Sequence, residues 1–319
     1  MTLFSAAPRR RTLLAGTAAG LVLALTACGG SDSTGTDTAS AAEDTTVATA
    51  YGDVTVPAAP ENVVTLAESA LDVALAVGVT PVGTTASRGG DKAPAYLGEE
   101  AAGIPVVATV VEPNLEAILE AGPDVILASA GLEQAQYDAL SAIAPTVVPE
   151  RPARGDWEAP LHTYAEALGA DDELTEELDA IAGRAAALKE DGTLQGSAGV
   201  IRWMANGPVL MNSTNMPGEL LTASGATALQ TATDLGDRPH SDPLSLENLA
   251  QIDADRLFLA AFGADGKGAL QAAGSEPAFT RLKAVEAGAT EEVDGSVWTS
   301  ASGPIAAGLV MDDIEAAVS

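Results

Sequence analysis

The chain has 319 residues, 15 basic against 45 acidic, a formal net charge of −30 and only 3% aromatic residues. That balance disfavours a nucleic-acid partner, because phosphate recognition needs clustered Lys and Arg, and the length suits two domains of ordinary size. Two His, His162 and His240, and a single Cys, Cys28, supply neither a site for a bare divalent metal nor an internal disulfide.

The N-terminus carries a basic cluster, Arg9-Arg10-Arg11, followed by an apolar stretch from Leu13 to Ala27. That stretch falls short of the ~20 apolar residues that cross a bilayer core, and its proportions are those of a signal peptide. It ends in Leu25-Thr26-Ala27-Cys28, which resembles a bacterial lipobox with Cys28 as the lipidated residue. Arg10-Arg11-Thr12-Leu13-Leu14 also resembles a twin-arginine export signal, so two export routes remain open. Removal of residues 1–27 takes away three Arg and no acid, leaving 12 basic residues against 45 acidic ones. Residues 28–46 are rich in Ser, Thr, Gly, Ala and Asp, a composition that cannot bury enough apolar surface to offset its ordering entropy, and read as a tether. The expectation is an extracytoplasmic protein anchored by lipid to the outer face of the cytoplasmic membrane.

From Tyr51 onward, short apolar runs alternate with helix-length amphipathic stretches. The segments 62–66, 81–84, 124–129 and 146–148 read as strands, and 69–77, 114–120 and 133–143 as helices. This alternation indicates βα units on a largely parallel sheet. A second block of the same kind begins near Gly199, with strands over 199–204, 209–211 and 256–260 and helices over 218–224 and 246–251; a closing helix spans Pro304–Val318. Between the blocks, 157–190 is rich in Ala, Leu and Glu; as one helix of about 30 residues it would span about 45 Å. Gly169-Ala170-Asp171-Asp172 leaves two helices as the other option.

The blocks share a faint repeat. Leu115-Glu116 opens a short helix followed by Asp124 and the run Val125–Leu127; Leu246-Glu247 opens another followed by Asp255 and the run Arg256–Leu259. Two copies of one module explain the pair.

In these segments, and in Pro57–Leu66, Pro277–Ala287, Val293–Trp298 and Gly303-Pro304, the chain resembles the substrate-binding proteins of ATP-driven importers for ferric siderophores, haem and cobalamin. The resemblance implies an α/β fold of two Rossmann-like lobes, 47–156 and 191–319, joined by a long bridging α-helix at 157–190, with ligand in the cleft between lobes. It implies a monomer that is no enzyme, needs no cofactor, captures a ferric siderophore and delivers it to an ABC permease and its ATPase. Glu116 and Glu247 then fall where the family docks on the permease, with Glu112 the competing choice in the first lobe. A Glu at a helix N-terminus also simply complements the helix dipole.

Ligand is expected at the carboxyl ends of the strands. In the first lobe this points to Arg88, in the loop after 81–84. In the second, Val200-Ile201-Arg202-Trp203 matches a family strand whose Arg contacts siderophore. Strand alternation keeps Arg202 and Trp203 from facing the cleft together unless the strand ends or bulges there; Arg202 is the choice by resemblance, and Trp203 is the candidate that offers a broad apolar face to a bulky ligand. Met216, Arg238, His240 and Trp298 fall in loops that the family directs at the cleft. Three Arg are few for a catecholate complex, which tilts the expectation to a hydroxamate or mixed siderophore; cobalamin, haem and an enzyme on the same scaffold are the alternatives. Gly263–Gly268 resembles a phosphate loop superficially but lacks its spacing and the Ser or Thr after Lys267. His240-Ser241-Asp242 contains triad residue types without a nucleophile elbow.

Overall fold

The structure, a computed structural model, describes residues 44–109 and 112–319. The signal segment, Cys28 and residues 28–43 of the expected tether lie outside the described residues.

The described chain opens with a hairpin, β1 (Thr45–Thr49) and β2 (Gly52–Val56), in antiparallel register from Thr45 opposite Val56 to Thr49 opposite Gly52. Thr45 and Thr46, expected at the end of the tether, are therefore paired strand residues. The hairpin is anchored by Val47 and Val56, both buried in the main core, and by Tyr51, which stacks on Tyr137 at 4.0 Å between ring centroids. Its Thr-rich alternation is weak in apolar signal, which hid it in the sequence.

The first lobe holds a parallel sheet ordered β5-β4-β3-β6-β7, made of β3 (Val63–Thr65), β4 (Gly83–Thr85), β5 (Val106–Ala108), β6 (Val125–Leu127) and β7 (Thr146–Val147). The residues of β3, β4, β6 and β7 are all buried, as a parallel sheet covered on both faces requires. Where Thr replaces an aliphatic residue its hydroxyl is satisfied: Thr65 Oγ1 donates to Thr84 Oγ1 at 2.9 Å. The helix Leu115–Ala121 is capped by Asn114, whose side chain accepts from the Ala117 N–H, and closes on Gly122 in the left-handed region.

The second lobe is built on β8 (Ser197–Met204), flanked by β11 (Arg256–Ala261) and then β12 (Thr290–Asp294), all parallel. The other edge of β8 pairs with β10 (Thr227–Ala228) in parallel at its start and with β9 (Gly207–Leu210) antiparallel at its end. The strand β12, TEEVD, carries three acids on a half-exposed edge and had no apolar run to announce it. One short element differs in type from expectation, and one helix was not expected at all. The segment Leu246–Ile252 is a 3-10 helix, and Gly263–Ala273 is an α-helix.

The segment expected as one bridging helix is two. The first, Ala159–Leu168, ends at Gly169, whose φ of 69° no helix can contain. A Cβ there would sit 2.8 Å from the Ala58 carbonyl, so the turn is also fixed by packing. The second, Asp171–Asp191, has 21 residues and spans about 31 Å. Asp171, Asp172 and Glu173 in its first turn complement the dipole, and Gly192 closes it. His162 Nδ1 pairs with Asp171 Oδ1 at 2.6 Å across the break. In mid-helix, Arg184 binds Glu315 through two hydrogen bonds at 2.8 Å each and Asp312 at 2.6 Å, which fastens the bridge to the C-terminal helix Pro304–Val318.

Candidate functional site

A cleft of about 630 Å³ is lined by residues of both lobes and of the 152–157 segment that leads into the bridge. Its lining includes four arginines: Arg88 from the first lobe, Arg154 from the connecting segment, and Arg202 and Arg238 from the second lobe. In a chain with 15 basic residues out of 319, that is a marked concentration.

Each arginine is placed by ordinary local structure. Arg88 follows β4 in a loop closed by the Ser87 N–H on the Lys92 carbonyl at 2.7 Å, and its own N–H donates to Glu68 Oε1 at 2.6 Å. Arg202 stands on β8 with Ala198 and Val200 on one face, while Ile201 and Trp203 face the other. Its guanidinium lies 4.4 Å from the centre of the Phe262 ring. Burial, and secondarily the nearby charge of Arg88, lower the Arg202 pKa from its ordinary value. The two guanidiniums thus belong to one cleft, lined from both lobes. Arg154 Nη2 donates to the Thr233 carbonyl at 2.7 Å, which ties the connecting segment to the second lobe. Arg238 Nη1 lies 3.5 Å from Asp242 Oδ2 and stays largely exposed.

The second-lobe wall is held by Asn212. This buried side chain donates to the carbonyls of Gly236 and Arg238 at 2.8 and 2.7 Å and accepts from the Thr214 N–H and hydroxyl. It thereby locks the 212–215 loop to the 236–240 loop that carries Arg238 and His240. His240 Nδ1 lies 2.7 Å from the Ser241 carbonyl.

Of the expected ligand residues, Arg88, Arg202, Met216, Arg238 and Trp298 all line the cleft. Trp298 does so as its floor: it is 1% exposed, stacks on Phe258 at 4.6 Å, and donates from Nε1 to Asp313 Oδ2 at 2.7 Å. Trp203 does not line the cleft. The uninterrupted pairing of β8 with β11 keeps strand alternation intact through Trp203, turning it into the core behind the sheet, edge-on to Phe279 at 5.6 Å. Arg154, Trp157 and Asn212 were missed. Trp157 was findable, as one of only three Trp in a chain poor in aromatics; Arg154 and Asn212 sit in loops without a periodic signal.

Among the described residues, three buried side-chain polar atoms have no hydrogen-bond partner, and two of them, Arg202 Nε and Ser300 Oγ, belong to residues that line the cleft. Buried polar groups are normally paired, so two orphans on the cleft lining are polar atoms that a molecule in the cleft could satisfy. Among the described residues no cluster of His, Cys, Asp or Glu could hold a bare metal ion. None of their helices is long and apolar enough to cross a membrane. Glu116 and Glu247 are exposed, each in the first turn of its short helix; Glu112 is exposed as well.

The model of the family described as "Periplasmic binding protein" matches residues 63–291. The chain belongs to that family. Among its relatives, the probable siderophore-binding lipoprotein YfiY of Bacillus subtilis (strain 168) is 34% identical over 307 residues, 92% of this chain and 94% of that protein. The Fe(3+)-citrate-binding protein YfmC of the same organism is 33% identical over 254 residues, 78% of each. Among solved structures, Staphylococcus aureus SirA complexed with staphyloferrin B matches with a TM-score of 0.74 at 25% identity, covering 86% of this chain and 98% of that one. The α/β architecture of this chain is matched by that solved structure over nearly all of its length.

Proposed function

We propose that this protein captures a negatively charged ferric siderophore or related ferric chelate in the cleft between its lobes and hands it to an ABC permease. The observation that carries this reading is the set of four cleft arginines, with Arg202 Nε buried and unpaired. Guanidiniums offer several fixed donors and are the preferred partners of carboxylate oxygens. Arg154 raises the cationic count from three to four, which moves the balance away from a hydroxamate complex and toward chelates with more negative charge. The relatives named for siderophore and for ferric citrate support the same class.

In this reading Cys28 carries the lipid that moors the protein beside its transporter. Glu116 and Glu247, one on each lobe, meet basic residues of the permease. The protein acts as a monomeric receptor, and the iron arrives and leaves as part of the ligand.

The test is direct. The purified protein is titrated with ferric citrate, a ferric hydroxamate and a ferric catecholate while its Trp emission is followed. Saturable binding of an anionic ferric chelate supports the proposal; no response to all three, with binding of cobalamin or haem instead, overturns it. Charge reversal at Glu116 and Glu247 should leave that binding intact and abolish uptake by cells.

A further inference from the structure

The most deeply buried carboxylate described lies outside the cleft lining. Asp72, on the first-lobe helix Glu68–Ala76, is 0% exposed. It accepts the Ile305 N–H at 2.8 Å on Oδ1, and on Oδ2 the Ala306 N–H at 3.1 Å and the Tyr96 hydroxyl at 2.9 Å. Ile305 and Ala306 belong to the first turn of the C-terminal helix Pro304–Val318. The residue that should cap this helix, Gly303, has no side chain, and a Cβ there would overlap the Asp72 carboxylate. A helix leaves its first N–H groups without intrahelical partners and presents partial positive charge at that end. Asp72 fills both needs from 233 residues away in sequence.

What lies on either side of this contact connects it to the cleft. The residues just before the capped helix, Thr299–Ser302, form one rim of the cleft. One turn before Asp72, Glu68 accepts the N–H of Arg88, on another rim. A single helix therefore holds two parts of the ligand site through two carboxylates.

We propose that Asp72 is a positioning residue of the cleft: by capping the C-terminal helix it fixes the Thr299–Ser302 rim, and neutralising it releases that rim and weakens ligand binding. This rests on reading the cleft as the ligand site. Its chemistry also makes the cap responsive to acid. Burial raises the Asp72 carboxyl to about 6, against the opposing pull of the Ile305, Tyr96 and Ala306 hydrogen bonds. The ionisable groups around it point the same way. Tyr96 is itself raised by burial and by Asp72, and Glu68 by burial. Tyr164, on the helix Ala159–Leu168 that packs alongside, is raised by burial. The first turn of the C-terminal helix carries no acidic side chain, and no charge on the bridging helix enters the balance. Protonation replaces a charged acceptor of three hydrogen bonds by a neutral one with fewer acceptor sites.

Amide hydrogen exchange on the ligand-free protein tests the cap without depending on any ligand. In the wild type, protection of Ile305, Ala306 and Thr299–Ser302 should fall about tenfold between roughly pH 7.5 and pH 5. In Asp72→Asn it should already be low at the higher pH and should no longer change. Affinity for whichever ferric chelate binds best should fall at least about fivefold in Asp72→Asn at neutral pH. Low wild-type protection of Ile305 and Ala306 at the higher pH overturns the cap, even if the variant fails to fold; protection that does not change with pH overturns its response to acid. Loss of protection with unchanged affinity overturns the positioning role. Should no chelate bind the wild type, the functional reading fails while the exchange result still decides the cap.

Discussion

Asp124 and Asp255 occupy matching places in the two lobes, each one residue before a central strand and each accepting the main-chain N–H at the head of the strand beside it. Asp124 accepts from Glu61 and Asn62 ahead of β3; Asp255 accepts from Ser197 at the start of β8. The carboxylate sets the stagger of two parallel strands that no hairpin could set, since their connection is a long crossover.

Asp124→Ala should strand the Glu61 and Asn62 N–H groups and cost about 1 kcal/mol, read as a lower urea midpoint at constant slope. Asp255 differs in having Lys283 as an added partner. Lys283 and the Ser197 hydrogen bonds hold its carboxyl well below the usual range. A depressed carboxylate contributes stability above its unfolded pKa and loses it as pH falls through the folded one. Asp255→Asn should therefore flatten the acid side of the stability profile, measured by urea denaturation at a series of pH values.

Asp72 has the opposite sign. Its folded carboxyl is raised to about 6, so the folded state holds a proton that the unfolded chain releases, and its contribution to stability falls as pH rises through about 4 to 6. The difference in unfolding free energy, wild type minus Asp72→Asn, should grow on acidification across that window. This is measured by urea denaturation at a series of pH values. Global stability and rim protection should thus move in opposite directions for the same protonation.

Arg202→Met should lower affinity for an anionic ferric chelate by about tenfold or more, because a charge-assisted donor is lost inside the cleft. Arg202→Lys should recover only part of it, since an ammonium lacks the planar fork. The double variant with Arg88→Met should lose less than the sum, because the two guanidiniums repel when no ligand lies between them. Calorimetry at fixed salt separates these outcomes.

Trp157 is the one half-exposed indole, since Trp203 is 2% and Trp298 1% exposed. Iodide quenching of the free protein should report mainly Trp157 and disappear in Trp157→Phe. A saturating ligand should protect it. Quenching that persists in Trp157→Phe would place the accessible indole elsewhere.

The legible part of this protein was its periodic part. The buried triplets at β3 and β6, the strand around Arg202 and the helix Pro304–Val318 all read directly, because uniform burial or a 3.6-residue period leaves a compositional trace. The Asp124 and Asp255 pair was visible as a repeat, although its hydrogen-bonding role was not. The acidic edge strand Thr290–Asp294 and the Thr-rich hairpin were hidden, because neither is built around an apolar run. Arg88 was placed in the cleft because it follows a strand, and Arg202 because its strand resembles one of the family. Arg154 and Asn212 were not, because a loop residue earns its role from contacts that spacing does not encode. Trp203 failed for a simple reason: an indole near an expected cleft looked like a ligand platform, whereas its strand parity turned it into the core.

The contact between Asp72 and the C-terminal helix joins residues 233 positions apart. The first-lobe sheet needs nothing beyond Val147 to complete its strands, whereas the Asp72 carboxylate gains two of its three partners only when Ile305 and Ala306 dock. Closing a loop of that length carries an entropic cost that grows with its span. A chain whose final helix has not docked therefore leaves an acidic side chain short of partners at a place that becomes interior, and docking of that helix ties the two ends of the described chain together.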